Sequence, residues 1–175
     1  MMTLLRYYRK NGPSLRMLEE PNSLRKTMSI SLTRKVDFPM LDLAGIAYFP
    51  RIYDLAHRFF EDAWLEICGV SYPHIINEMK IGFPVVDIQT KFIQPLKYGD
   101  KITARIWISN VGNKSCTWEY KFYNQNQDLL WSSQMVNVCV SMSNMESRAI
   151  PEELRKGLEE CLSLIHISEP TRLRS

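Results

Sequence analysis

Apolar residues in the middle of this chain recur with two distinct periods. From Ser29 to Phe38 they alternate, with Ile30, Leu32 and Val36 as the apolar members, which predicts a strand that Pro39 ends. A loop with Gly45 follows, and Pro50 stands where proline is tolerated, in the first turn of a helix. Beyond it Ile52, Tyr53, Ala56, His57, Phe59, Phe60, Ala63, Trp64 and Ile67 recur at spacings of three, four and seven, with Asp54, Arg58, Glu61 and Asp62 opposite. That pattern predicts a helix of about 19 residues, ~28 Å long, stopped by Gly69. Its wide, aromatic face is suited to lying on a sheet.

The period then returns to two. After a linker with room for a helical turn between Tyr72 and Lys80, strands are predicted over Phe83–Ile93, Lys101–Val111, Ser115–Tyr123 and Leu129–Met142. Turn residues join them: Tyr98-Gly99-Asp100, Gly112-Asn113-Lys114 and Asn124-Gln125-Asn126-Gln127. Pro151 to Glu160 reads as a short closing helix. The expectation is an α+β domain with a five-stranded antiparallel sheet and one long helix. A single helix cannot cover both faces and both edges of such a sheet, so a homodimer or homotetramer is expected.

Composition narrows the class. The 175 residues are 45% hydrophobic and 23% charged, as in one ordinary globular domain. The net charge of +3 is misleading, because it sits at the ends. Residues 1–27 hold six basic groups against Glu19 and Glu20, residues 161–175 hold Arg172 and Arg174 against Glu169, and residues 28–160 have 14 basic and 16 acidic residues. Nucleic acid is therefore not an expected partner. Residues 1–27 read as disordered or as an over-extended start. Their acidic pair argues against a transit peptide. Residues 161–175 resemble translated adapter or vector sequence and read as a non-native tail, which leaves 28–160 as the domain. No apolar run is long enough to span a bilayer. Cys68, Cys116, Cys139 and Cys161 form no C-x-x-C pair, which favours reduced thiols and a cytoplasmic location. With three scattered histidines, no metal site is expected.

Two segments carry a resemblance. Asp37-Phe38-Pro39-Met40-Leu41-Asp42-Leu43-Ala44-Gly45-Ile46-Ala47-Tyr48-Phe49-Pro50 resembles the catalytic loop of the 4-hydroxybenzoyl-CoA thioesterase family, usually D-x-D-x-x-G followed by two aromatics and the helix. Phe92-Ile93-Gln94-Pro95-Leu96-Lys97-Tyr98-Gly99-Asp100-Lys101-Ile102 is similar to that family's F-x-x-P-x-x-x-G-D-x-I signature. The resemblance runs from about Ile30 to Leu158 and implies the hotdog fold, in which the sheet wraps the long helix. It also implies an acyl-CoA thioesterase, with coenzyme A as part of the substrate and no separate cofactor.

By that resemblance Asp42 is the nucleophile or general base, although Met40 replaces the loop's first Asp. The Phe49 amide polarises the thioester carbonyl, Tyr48 lines the acyl pocket, and Gly45 lets the loop pass close to the substrate. Lys114 falls in a cluster that binds coenzyme A phosphates in aromatic-acyl relatives, but Gly112 and Asn113 stand where those relatives have arginines. One carboxylate and one oxyanion site suffice chemically, because a thiolate leaves with little proton assistance. Other readings stay open: Asp42 as a helix cap, Lys114 as a solvated turn residue, and Gly99-Asp100 as a tight turn. His57 reads as a packed core histidine, and Glu61 as an alternative carboxylate on the polar stripe. Rival functions are a non-catalytic acyl-CoA-binding protein and a hotdog hydratase or dehydratase. The latter needs a histidine where Tyr48 stands. The acyl group, aromatic or fatty, is left open.

Overall fold

The computed structural model describes residues 29–166; residues 1–27 and 167–175, read above as extension and tail, lie outside them. Strand β1 (Ile30–Lys35) leads through a 3-10 turn at Phe38–Met40 into α1 (Phe49–Cys68), α2 (Tyr72–Asn77) and the short β2 (Ile81–Gly82). Then come β3 (Val85–Phe92), β4 (Lys101–Val111), β5 (Ser115–Tyr123), β6 (Leu129–Val138), β7 (Val140–Ser141) and α3 (Glu152–His166).

The long helix forms where its period places it. Pro50 occupies its first turn, and Gly69 ends it at φ +69° with its N–H on Leu65 O at 3.0 Å, a left-handed cap. Ile52, Leu55, Ala56, Phe59, Phe60, Ala63 and Trp64 are buried against the sheet. That sheet has the order β1-β4-β5-β6-β3, antiparallel throughout. Its helix-facing residues include Ile106, Trp118, Tyr120, Phe122 and Trp131. Aromatic rings fill the space between the layers: Phe60 lies 5.0 Å from Trp118, Trp64 4.6 Å from Phe83, and Phe59 5.3 Å from Phe122. This is the expected α+β arrangement of a five-stranded sheet packed on one long helix.

Two details differ from the sequence reading. The last predicted strand stops at Val138, where the chain leaves the main sheet: the Cys139 N–H bonds Lys114 O, and Val140–Ser141 pairs instead with β2. The closing helix runs past Glu160 to His166, and Cys161 is buried. Gly157 lets that helix lie directly on α1. A Cβ there would meet Ile67 O of α1 at 2.6 Å, so the two helices cross in direct contact.

Candidate active site

The loop before α1 is held on all sides by its own backbone. Leu41 pairs with Ala47, the Asp42 N–H donates to Ile46 O at 3.0 Å, and the Gly45 N–H donates to Asp42 O at 3.0 Å. The result is a tight hairpin closed by Gly45 at φ +73°, the backbone state that glycine adopts without steric cost. Nothing lies within 4 Å of where its side chain would be, so within the chain itself φ is the requirement at Gly45 and crowding is not. Asp42 is exposed, and its Oδ1 accepts the Ala44 N–H at 2.8 Å, which fixes the carboxylate in an Asx turn. It makes no bond to α1, so the capping alternative is not what the geometry shows: Tyr48 is the N-cap and offers no side-chain bond. Met40, in place of the first Asp, is buried in the core, and its carbonyl takes the Tyr48 N–H at 2.9 Å.

The second motif fastens the first. Ala47 N–H donates to Leu96 O at 2.8 Å, Ile46 bridges to Lys97, and Gly99 N–H donates to Val36 O at 3.0 Å. Gly99, at φ +81°, and Asp100 make the tight turn, with the Lys97 N–H on the Asp100 carboxylate at 2.8 Å. Two segments about fifty residues apart thus form one hydrogen-bonded unit around the start of α1.

That helix end offers backbone donors. Pro50 has no N–H, and the Arg51 N–H donates to Tyr48 O at 2.8 Å. The Phe49 N–H, first in the helix, is a donor for which the helix supplies no acceptor, at the end where the dipole favours negative charge. The Tyr48 and Phe49 rings meet edge to face at 5.2 Å, both about half exposed.

From Phe49 the same helix face continues through Tyr53, Ala56 and Phe60. The last three line a cleft of about 220 Å³, with Asp54 and His57 at its margin and Val85, Ile88, Tyr120, Met135 and Asn137 from the sheet. His57 is not the packed residue expected. Its side chain is 56% exposed, with Nε2 3.2 Å from Glu61 Oε1 and the ring stacked on Phe60 at 5.6 Å. Glu61 is half exposed on the polar side and does not line the cleft. Tyr120 is buried, and desolvation holds its phenol well above the usual range, so it stays protonated.

Asp42, Gly45, Tyr48 and Phe49 therefore come together as one loop and helix end. Lys114 stands apart, on the β4–β5 turn, with Nζ 3.3 Å from both Ser147 O and Ser147 Oγ. Arg155 of α3 braces that turn through the carbonyls of Gly112 and Asn113, at 3.0 and 2.9 Å. Sequence reasoning missed Asn137. Its signal was parity, since Trp131, Ser133, Met135 and Asn137 alternate on the helix-facing side of β6. Among the described residues no group of three or more His, Cys, Asp or Glu is placed to hold a metal ion, and no helix is long and apolar enough to cross a membrane.

Comparison with known proteins points to one family. The model of the Thioesterase superfamily matches residues 44–130, about half of the chain. A 1,4-dihydroxy-2-naphthoyl-CoA hydrolase of Thermosynechococcus vestitus is 26% identical over 126 residues, 72% of this chain and 86% of that protein. Among solved structures, a gentisyl-coenzyme A thioesterase superposes with a TM-score of 0.68 at 26% identity, over 74% of this chain and 99% of that one. A DHNA-CoA thioesterase from Staphylococcus aureus gives a TM-score of 0.74 at 13% identity, over 82% and 97%, which is a likeness of fold.

Proposed function

From the premise that the chain belongs to the Thioesterase superfamily, we propose that it hydrolyses an acyl-CoA thioester to the free acid and coenzyme A, with Asp42 as nucleophile or general base. The observation that carries this is the joint placement of a fixed, exposed carboxylate and a helix-end amide that its own helix leaves without an acceptor, on one braced loop. Attack at the thioester carbonyl places negative charge on its oxygen. The Phe49 N–H is the donor to receive that charge, and the thiolate then departs with the electrons of the broken C–S bond. If water is the attacking group, Asp42 takes its proton; if Asp42 attacks directly, water later cleaves the acyl-enzyme anhydride. In either case Tyr48 and the apolar cleft hold the acyl group.

The relatives named as acting on dihydroxynaphthoyl and gentisyl thioesters support an aromatic acyl group. So does the cleft's aromatic lining. Lys114 is assigned to the coenzyme A phosphates only on sequence position; its exposed Nζ is free to exchange Ser147 for an anion. The partner is a second copy of the chain, with dimer or tetramer set by how the exposed β3 edge is covered. The test is thiol release from a panel of acyl-CoAs. Asp42→Asn should lower kcat by about 10²-fold or more while the circular dichroism spectrum is retained. An Asn variant with near wild-type turnover removes Asp42 from the mechanism.

A further inference from the structure

Strand β3 is open along one side, because its one neighbour in the main sheet is β6. Ladder parity decides which of its residues face the opening. The Ile93 N–H bonds Leu130 O at 2.9 Å, continuing the register in which Phe92 stands opposite Trp131. Residues bonded to the same neighbour alternate along an antiparallel strand. Lys91, Gln89 and Asp87 therefore turn their backbone polar groups toward β6, and Phe92, Thr90 and Ile88 turn theirs to the open edge. The Gln89 carbonyl fits this parity, since it accepts Ser133 Oγ of β6 at 3.1 Å.

Side chains alternate between the two faces. Ile88 lines the cleft beside α1, so Asp87, Gln89 and Lys91 lie on the face away from the helix. All three are exposed, and among the described residues Asp87 and Lys91 have no ion-pair partner. Along their own strand they stand about 13 Å apart, out of reach of each other.

A second copy of the strand brings them together. Because the outward-facing residues alternate, two antiparallel copies can bond edge to edge only about a two-fold axis centred on a residue, not between residues. A centre at Asp87 or at Lys91 sets like charges opposite each other, which is destabilising. A centre at Gln89 sets Asp87 opposite the partner's Lys91, twice across the axis. Those positions are the non-hydrogen-bonded ones, where Cα atoms are about 4.5 Å apart and side chains come closest. On the helix side the same register places the partner's Thr90 beside Ile88. Val85 and Ile88 form the β3 wall of the cleft and are 41% and 45% exposed, so a second copy extends that wall.

We infer that two chains pair β3 to β3 about a two-fold axis at Gln89, with Asp87 and the partner's Lys91 as the contacts that fix the register. This rests on the reading of the partner as a second copy and goes beyond it in naming the residues that meet.

Charge exchange on the full chain is the test. Asp87→Lys and Lys91→Asp should each raise the dimer dissociation constant in sedimentation by about tenfold or more, because each sets two like-charged pairs across the axis. Mixed together, the two variants should pair with each other to within about threefold of wild-type affinity, and so should the double variant carrying both exchanges. Gln89→Cys should give a covalent dimer under oxidised glutathione, its Cα atoms lying at disulfide distance across the axis, whereas Asp87→Cys should not. Single variants that dimerise like wild type, or that stay apart when mixed, overturn the register. So does a dimeric Gln89→Cys protein that fails to crosslink. If a charge variant does not fold, Gln89→Cys against Asp87→Cys decides the register alone. Wild-type protein that is a single chain at every concentration would instead defeat the second-copy reading, and the inference with it, while thiol release would still decide the thioesterase reading.

Discussion

The two sides of the first turns of α1 follow opposite rules. Toward the sheet, Ile52, Leu55, Phe59, Ala63 and Trp64 are almost wholly buried, and rings from α1, β5 and β6 interlock at centroid distances of 4.5–5.3 Å. Toward the loop and the β3 edge, large apolar side chains face solvent: Phe38, Leu43, Tyr48 and Phe49 on one segment, Val85, Val86, Ile88, Phe92, Ile93 and Tyr98 on the other. The two segments are joined by the Ala47–Leu96 and Ile46–Lys97 pairings, by Phe38 against Tyr98 and by Phe92 against Tyr53. They form one apolar surface beside Asp42. Such a surface is the mark of an interface or a ligand site, whereas the packed side stabilises the fold. In this chain the packed side and the exposed apolar side meet along one helix, and the proposed site lies on the exposed one.

The division is broken most forcefully from the packed side. Trp64 is fully buried between Phe83 and Trp118, and its Nε1 has no partner among the described residues. Trp64→Ala should cost about 3–5 kcal/mol in chemical denaturation, a large part of the roughly 5–15 kcal/mol a domain has. Trp64→Phe should cost much less, because it keeps an aromatic ring and removes the unpaired N–H. Equal losses from the two would show that the indole N–H matters more than the packing.

A smaller effect is expected at the boundary. Gly45→Ala meets no neighbour and carries only the left-handed backbone penalty, about 1–2 kcal/mol. Because that residue closes the hairpin holding Asp42, turnover should fall more than the small shift in Tm implies. Unchanged turnover in a protein with the lower Tm would mean that the hairpin's geometry is not what positions Asp42.

The packed side was the legible one. Ile52 to Ile67 announced the helix through its period, and β4 and β5 kept the limits read for them because Gly, Asn and Lys turns bracket them. The end of β6 was not legible: Val138-Cys139-Val140 is continuous apolar chain, and only the bond from Cys139 N–H to Lys114 O shows where it leaves the sheet. The closing helix was readable further than it was followed, since Leu154, Leu158, Cys161 and Leu162 keep helical spacing into the segment set aside as a tail. His57 was misplaced because period alone cannot tell the centre of an apolar face from its margin. At the site, the D-x-x-G and G-D motifs located the loop, but the hydrogen bonds joining them are tertiary.

The smallest expected change in folding free energy gives the sharpest separation of the two faces. Val86 is 60% exposed at the β3 bulge, on a strand with one edge unpaired. Val86→Lys touches nothing in the core, so chemical denaturation of the dissociated chain should stay within about 0.5 kcal/mol of wild type. A lysine on an open strand edge opposes pairing with another strand, so if copies pair through this edge, as proposed, the mass in solution should fall to that of one chain. Activity should fall with it if the second copy covers the apolar surface beside Asp42. A variant that keeps both its mass and its turnover would place the contact between copies elsewhere and leave that surface to the substrate alone. Loss of stability in the isolated chain would instead show that the β3 edge belongs to the packed side, and the division between the two faces would fail.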